Sequence, residues 1–149
     1  VDIYLPDMKV WSSRLAKELF HAPDYADIAQ KALGEMYRQV GPASINDAGF
    51  MTKGMIVRHL MLPGQLFDTK KILDYLVDTF GNNIYISLMN QYTPMPQLDN
   101  MECPSYLKRK LSSGHYDTAA DYLIGLGQEN AFIQGDDASG DDMIPDFKS

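Results

Sequence analysis

Residues 55–64, MIVRHLMLPG, decide the predicted fold of this chain of 149 residues. The run is apolar apart from Arg58 and His59, and Pro63-Gly64 closes it. A short apolar run that ends at turn residues is typical of a strand buried on both faces, as in a parallel sheet. We therefore expect this run to form a central parallel strand.

Further strands and helices are predicted on both sides of this run. Apolar residues at helical spacing predict two longer helices, with Asp24 and Asp68 as their N-caps. The predicted strands are residues 2–9, 55–62, 83–92 and 131–134, and the predicted helices are 12–20, 25–40, 69–80, 105–111 and 115–126, with a loop over 43–54. Strands that alternate with helices imply right-handed crossovers, so we expect an α/β fold with about four parallel strands.

The composition argues against several classes of function. The formal net charge is −7 and the isoelectric point about 4.7, whereas a nucleic-acid surface needs a concentrated excess of Lys and Arg. No apolar run approaches the roughly 20 residues that span a bilayer, so we expect no membrane partner and a cytoplasmic location. The single cysteine, Cys103, excludes a disulfide framework or a multi-cysteine metal site within this chain.

Polar side chains recur where the predicted strands end. In parallel α/β folds the carboxyl ends of the strands line the binding site, and polar groups in apolar strands cost desolvation energy unless something satisfies them. We therefore predict a polar ligand site without metal ligands and without a catalytic residue in this chain. The candidate binding residues are Asp7, Lys9, Arg58, His59, Pro63, Gly64, Asn90, Gln91 and Tyr92.

Each of these residues also has a plainer explanation. Asp7 and Lys9 share one strand face and could form an ion pair with each other. Arg58 and His59 are neighbours, so they point to opposite faces and only one can look into the site. A lone histidine in an apolar strand is more often a core residue with satisfied hydrogen bonds. Neighbouring residues 90 and 91 divide between the two faces in the same way.

Read as whole segments, the chain resembles the C-terminal half of radical S-adenosylmethionine (radical SAM) proteins related to pyruvate formate-lyase activating enzymes. The segments are DIYLPDMK, ALGEMYRQVG, GMIVRHLMLPG, ILDYLVDTFGNNIYISLMNQYTPMP and ENAFIQ, in that order over about residues 2–134. The most distinctive pieces are VRHLMLPG and YISLMNQYTPMP. The resemblance implies a partial TIM-like (β/α) barrel whose C-terminal half is residues 1–134, followed by an acidic flexible tail at 135–149.

Such enzymes bind a 4Fe-4S cluster through a CxxxCxxC motif and cleave S-adenosylmethionine to a 5′-deoxyadenosyl radical. That motif is absent here, so the resemblance implies an inactive fragment of a radical SAM parent enzyme. Asp7 and Lys9 resemble an Asp-Leu-Lys strand end whose lysine contacts S-adenosylmethionine. Arg58 with Pro63-Gly64 matches an Arg-x-x-x-x-Pro-Gly strand that borders the same cofactor.

Residues 90–92 occupy the strand end that supplies a ribose-contacting histidine in the activating enzymes, and Tyr92 is the nearest aligned residue here. The implied partner is a glycyl radical enzyme or another protein substrate. Nothing in the chain precedes the first strand to pair with it, so we also expect missing upstream strands and self-association of the fragment through that edge. The alternative interpretation is a non-catalytic α/β module that binds a small ligand.

Overall fold

The computed structural model describes residues 2–90 and 112–134. Over these residues the chain is a mixed α/β structure with a mostly parallel sheet, as the alternation of strands and helices predicts. The elements are β1 (Ile3–Tyr4), α1 (Ser13–Phe20), α2 (Tyr25–Val40), β2 (Ser44–Ile45), β3 (Met51–Leu60), α3 (Leu66–Thr79), a 3₁₀ turn (Gly81–Asn83), β4 (Tyr85–Met89), α4 (Ser113–Gly125) and β5 (Ala131–Ile133).

The parallel strands lie side by side in the order in which the chain forms them. The path is β1-β3-β4-β5, with every neighbouring pair parallel, and β2 pairs antiparallel with β3 outside this path. The short β1 ladder is extended by a parallel bridge between Asp7 and Arg58. This order brings the carboxyl ends of the four strands into one row.

The helices of residues 2–90 and 112–134 pack against one face of this sheet. Alternate residues of β3 and β4, such as Val57 and Ile86, share a buried cluster with residues of α2, α3 and α4. A second cluster joins Leu88 and Ile133 to α4, and a third packs α1 against residues at the carboxyl ends of β1 and β3. Because side chains alternate along a strand, residues such as Arg58 belong to the other face.

Strand β3 begins four residues before the predicted run, within the segment predicted as a loop. The turn signals there form a tight reversal in which the Asn46 side chain accepts the amide protons of Ala48 and Phe50. The chain then pairs back on itself, so β2 runs antiparallel to the start of β3. Gly54 permits this close pairing, because its φ is 135° and a Cβ there would lie 2.7 Å from the Ala43 Cα.

Helix α3 begins at Leu66, so Asp68 lies in its first turn and is not its N-cap. The Asp68 carboxylate instead accepts the backbone amide protons of Trp11 and Ser12, at 2.8 Å and 2.7 Å. The helix predicted at 105–111 and the tail predicted at 135–149 lie outside the described residues. In the described part of the chain, no helix has the length and apolar character to cross a membrane.

Candidate functional site

A cavity of about 260 Å³ opens where β1, β3 and β4 end. Asp7 and Lys9, which follow β1, line it together with Arg58 near the end of β3. Three of the predicted site residues therefore meet in one cavity. The described residues that complete its wall are Met8, Phe20, Leu60, Leu62 and Met89.

The acidic and basic groups of this cavity form an ion pair that joins two strands. Arg58 Nε donates to Asp7 Oδ1 at 2.7 Å, so the partner of Asp7 is Arg58 and not its near neighbour Lys9. The two side chains are 42% and 40% exposed. This hydrogen bond uses one of the five N–H donors of the guanidinium group, which leaves others for an acceptor in the cavity. The pair therefore orients both groups without closing them to a ligand.

Tyr25 of α2 holds the chain segment that carries Asp7 and Lys9. Its hydroxyl accepts the amide proton of Lys9 at 3.0 Å and lies 3.4 Å from the Asp7 carbonyl oxygen, to which it donates. Burial raises the pKa of Tyr25, so the phenol stays protonated at neutral pH. The ammonium of Lys9 lies 5.9 Å from the centroid of the Phe20 ring, a cation–π contact at the cavity wall.

His59 lies on the helix-covered side of β3, away from the cavity. It is 2% exposed, and its Nδ1 and Nε2 lie 2.7 Å from the Met8 carbonyl oxygen and 2.8 Å from Thr69 Oγ1. Burial lowers its pKa and outweighs the opposite effects of the Met8 carbonyl and of Asp68. Of the two neighbours, Arg58 faces the cavity and His59 has the position of a core histidine whose hydrogen bonds are satisfied.

Pro63 and Gly64 also lie apart from this cavity. Pro63 is buried. Gly64 lines a different cavity of about 450 Å³ beside the N-termini of α1 and α3. Its other described lining residues are Trp11, Ser12, Arg14, Leu15, Gln65, Phe67, Asp68 and Lys71. The structure therefore separates this pair from Asp7, Lys9 and Arg58.

Asn90 directly follows β4, and its environment includes a residue that sequence reasoning missed. Its backbone amide donates to Gln134 Oε1 at 2.7 Å. The backbone N–H of Gln134 in turn donates to the Tyr116 hydroxyl at 2.7 Å. That hydroxyl donates to the Leu88 carbonyl oxygen at 2.6 Å. Gln134 ends the predicted strand 131–134, so the rule that selected polar residues at strand ends would have found it. Gln91 and Tyr92 lie outside the described residues.

The site has the chemistry of a ligand-binding surface with mixed charge. Among residues 2–90 and 112–134, no group of three His, Cys, Asp or Glu side chains is arranged to hold a metal ion. The cavity offers two cations and one carboxylate beside apolar side chains, which suits a molecule that carries both charges. No protein-family model, curated protein or solved structure matches this chain.

Proposed function

We propose that this chain forms one side of the S-adenosylmethionine pocket of a radical SAM enzyme of the pyruvate formate-lyase activating type. The observation that supports this most is the cavity in which Asp7, Lys9 and Arg58 meet at the carboxyl ends of parallel strands. These are three of the residues that the sequence resemblance assigns to cofactor binding.

The charges of the cavity complement those of S-adenosylmethionine. Its carboxylate would accept hydrogen bonds from the Lys9 ammonium and from N–H groups of Arg58 other than the one that binds Asp7. The carboxylate of Asp7 would accept a hydrogen bond from the amino group or a ribose hydroxyl. Leu60, Met89 and the other apolar lining residues would cover the hydrocarbon parts of the molecule. The work of this chain is then to bind and orient the cofactor.

The order of the strands supports the proposed partial barrel. In a (β/α) barrel, consecutive parallel strands are neighbours and the helices lie on the outer face only. A doubly wound sheet instead reverses its strand order and carries helices on both faces. The path β1-β3-β4-β5 with helices packed on one face is the arrangement expected for part of a barrel wall.

The iron–sulfur cluster of the proposed enzyme does not fit the residues of this chain. Three cysteines are needed, and the sequence contains only Cys103, which lies outside the described residues. We therefore assign no step of the radical chemistry to this chain. In the proposal, the cluster ligands come from other sequence of the parent enzyme, and the substrate is a glycyl radical enzyme or another protein.

Titration of the chain with S-adenosylmethionine, followed by ¹⁵N NMR, tests the proposal. We expect shifts at the cavity residues and weaker binding by Lys9→Ala, because that variant loses a cation that faces the carboxylate. Lys31→Ala is the matched control, since Lys31 is an exposed lysine of α2 outside the cavity lining. No binding, or equal losses for both variants, would contradict the proposal.

A non-catalytic binding module remains the second candidate, because the same cavity can hold a small zwitterion without a cluster. Binding of free amino acids at Asp7, Lys9 and Arg58 without binding of S-adenosylmethionine would favour that candidate. The same titration, repeated with methionine and with other amino acids, separates the two functions.

A further inference from the structure

The cavity of about 450 Å³ beside the N-termini of α1 and α3 has no part in the proposed function. It is larger than the cavity of Asp7, Lys9 and Arg58, which has about 260 Å³, and the two have no described lining residue in common. Its volume lies within the range of pockets that hold small organic molecules. A ligand of that size can therefore bind here independently of the first cavity.

The walls of this second cavity are fixed by contacts between the segment before α1 and the start of α3. The two oxygens of Asp68 accept the backbone N–H groups of Trp11 and Ser12, at 2.8 Å and 2.7 Å. The Ser12 hydroxyl accepts the N–H of Leu15 at 3.1 Å, and the Trp11 ring packs on Tyr75 of α3 with the ring centroids 5.5 Å apart. A ligand therefore meets a preformed surface, which lowers the entropy cost of binding.

Cations from two helices line the second cavity in a chain whose net charge is −7. Arg14 belongs to α1 and Lys71 to α3, and both are exposed. Arg14 Nη1 donates to Glu18 Oε1 at 3.1 Å, a bond that uses one of the five N–H donors of the guanidinium group. Asp68, the carboxylate among the lining residues, already accepts two backbone N–H groups, and these disperse part of its charge. The second cavity therefore favours an anion.

Two aromatic side chains give the second cavity an apolar wall. Trp11 is half-buried. Phe67 is 79% exposed, which makes it the most exposed large apolar side chain in the described part of the chain. A ligand ring placed against these side chains would remove apolar surface from water and could stack on either of them. The wall therefore favours an aromatic group next to the anionic one.

We propose that the second cavity binds a small organic anion that carries an aromatic group. Arg14 and Lys71 bind the anionic group, which is a carboxylate or a phosphate, and Trp11 and Phe67 contact the aromatic group. The first cavity, with two cations and one carboxylate, suits a zwitterion. The second selects a ligand with a net negative charge, and its occupation does not depend on the proposed function of the first.

Titration of the chain with phenylacetate and with phenyl phosphate tests the proposal. Trp11 is the single tryptophan of the sequence, so its fluorescence and its indole N–H resonance report this cavity without any substitution. For ligands of this size we expect dissociation constants on the order of 1 mM. The neutral 2-phenylethanol and inorganic phosphate each lack one of the two features, so both should bind at least about tenfold more weakly.

Substitution of the cations tests which groups bind the anion. Arg14→Ala and Lys71→Ala should each weaken binding of phenylacetate by about fivefold, the upper range for a solvent-exposed ion pair. Arg38→Ala is the matched control, because it also removes an exposed arginine from a helical ion pair, with Glu35 at 2.7 Å, but lies outside the cavity lining. Lys9→Ala, in the first cavity, should also leave the affinity unchanged.

The aromatic contact is tested separately by Phe67→Ala. This variant should weaken binding of phenylacetate by about threefold or more, because the phenyl ring of the ligand loses a neighbour, and should leave binding of inorganic phosphate unchanged. Equal losses for the two ligands would show that Phe67 acts on the fold of the cavity and not on the aromatic group, and would overturn that part of the proposal.

Each remaining outcome also decides the proposal. A response to only one of the two anions supports it and identifies the anionic group as a carboxylate or a phosphate. The absence of a saturable Trp11 response to both anions overturns it, and so does binding of 2-phenylethanol as tight as that of phenylacetate. Equal effects of Arg14→Ala and Arg38→Ala overturn the assignment of the cations. The wild-type Trp11 signals decide the main question even where a variant does not fold.

Discussion

Acidification should destabilise this protein through His59. The Met8 carbonyl can only accept, so Nδ1 carries the proton of the neutral ring and Nε2 accepts from the Thr69 hydroxyl. A second proton on Nε2 would turn that hydroxyl proton away and place a charge in a residue that is 2% exposed. Burial therefore lowers the pKa of His59 in the folded state below its value of about 6.5 in the unfolded chain.

The sign of the effect follows from proton uptake. Above about pH 6.5 the ring is neutral in both states, and the contribution of His59 to stability is fully present. Below that pH the unfolded chain binds a proton that the folded chain does not, so the free energy of unfolding falls. For one group the slope approaches about 1.4 kcal/mol per pH unit, and it ends when the pH passes below the folded-state pKa.

Urea denaturation between pH 7.5 and 5.5 measures this slope. Carboxylates also titrate toward the acidic end, so the comparison is with His59→Asn, which offers an amide donor to the Met8 carbonyl and cannot be protonated. We expect the wild-type chain to lose more stability than the variant over this range, by at most about 1.4 kcal/mol. Equal slopes for the two proteins would show that His59 is protonated as easily in the folded state as in the unfolded chain.

Two further substitutions, each with a matched control, test the packing of the sheet. Gly54→Ala should lower the free energy of unfolding by about 2–4 kcal/mol, because the new Cβ meets the Ala43 backbone at 2.7 Å and φ is 135°. Gly34→Ala, in the open interior of α2, should instead raise it by about 0.5–1 kcal/mol, and a similar loss at both glycines would refute the steric reasoning. Tyr116→Phe should cost about 2–3 kcal/mol because it leaves the Leu88 carbonyl and the Gln134 amide unpaired. Tyr4→Phe removes an exposed hydroxyl, so it should change stability by less than about 0.5 kcal/mol in the same urea titration. Equal losses for the two tyrosine variants would contradict this account.

The sequence predicts which strands and helices form better than it predicts where they begin and end. The apolar run at 55–62 and the alternation of strands and helices were sufficient to predict a parallel sheet, because both signals are local. The start of β3 and the hairpin with β2 depend on the close approach of Gly54 to Ala43, which no local pattern records. Asp68 was mistaken for an N-cap because its real partners, Trp11 and Ser12, are more than 50 residues away in sequence.

The candidate site was predictable to the extent that it depends on strand ends. Because polar residues gather at strand ends, the sequence predicted that Asp7, Lys9 and Arg58 share one site, and all three line the cavity. The two-residue alternation along a strand predicted that only one of Arg58 and His59 faces it. Which of these two residues faces the cavity depends on where the helices pack, and this is a tertiary property. The pairing of Asp7 with Arg58 across 51 residues is likewise set by strand register.

The chain segment that carries Asp7 and Lys9 is held by side chains as well as by the strand ladder, and this couples ligand binding to stability. Pro6 has no backbone N–H, so the ladder between β1 and β3 lacks one hydrogen bond just before Asp7 and Lys9. The backbone of Arg58 still bonds residues 6 and 8, and side chains of three elements also fix the segment 7–12. Tyr25 of α2 bonds the backbone of residues 7 and 9, His59 of β3 bonds the carbonyl of residue 8, and Asp68 of α3 bonds the amides of residues 11 and 12. A change that breaks any one of these three contacts, including protonation of His59, should therefore weaken ligand binding as well as folding, although none of the three residues lines the cavity.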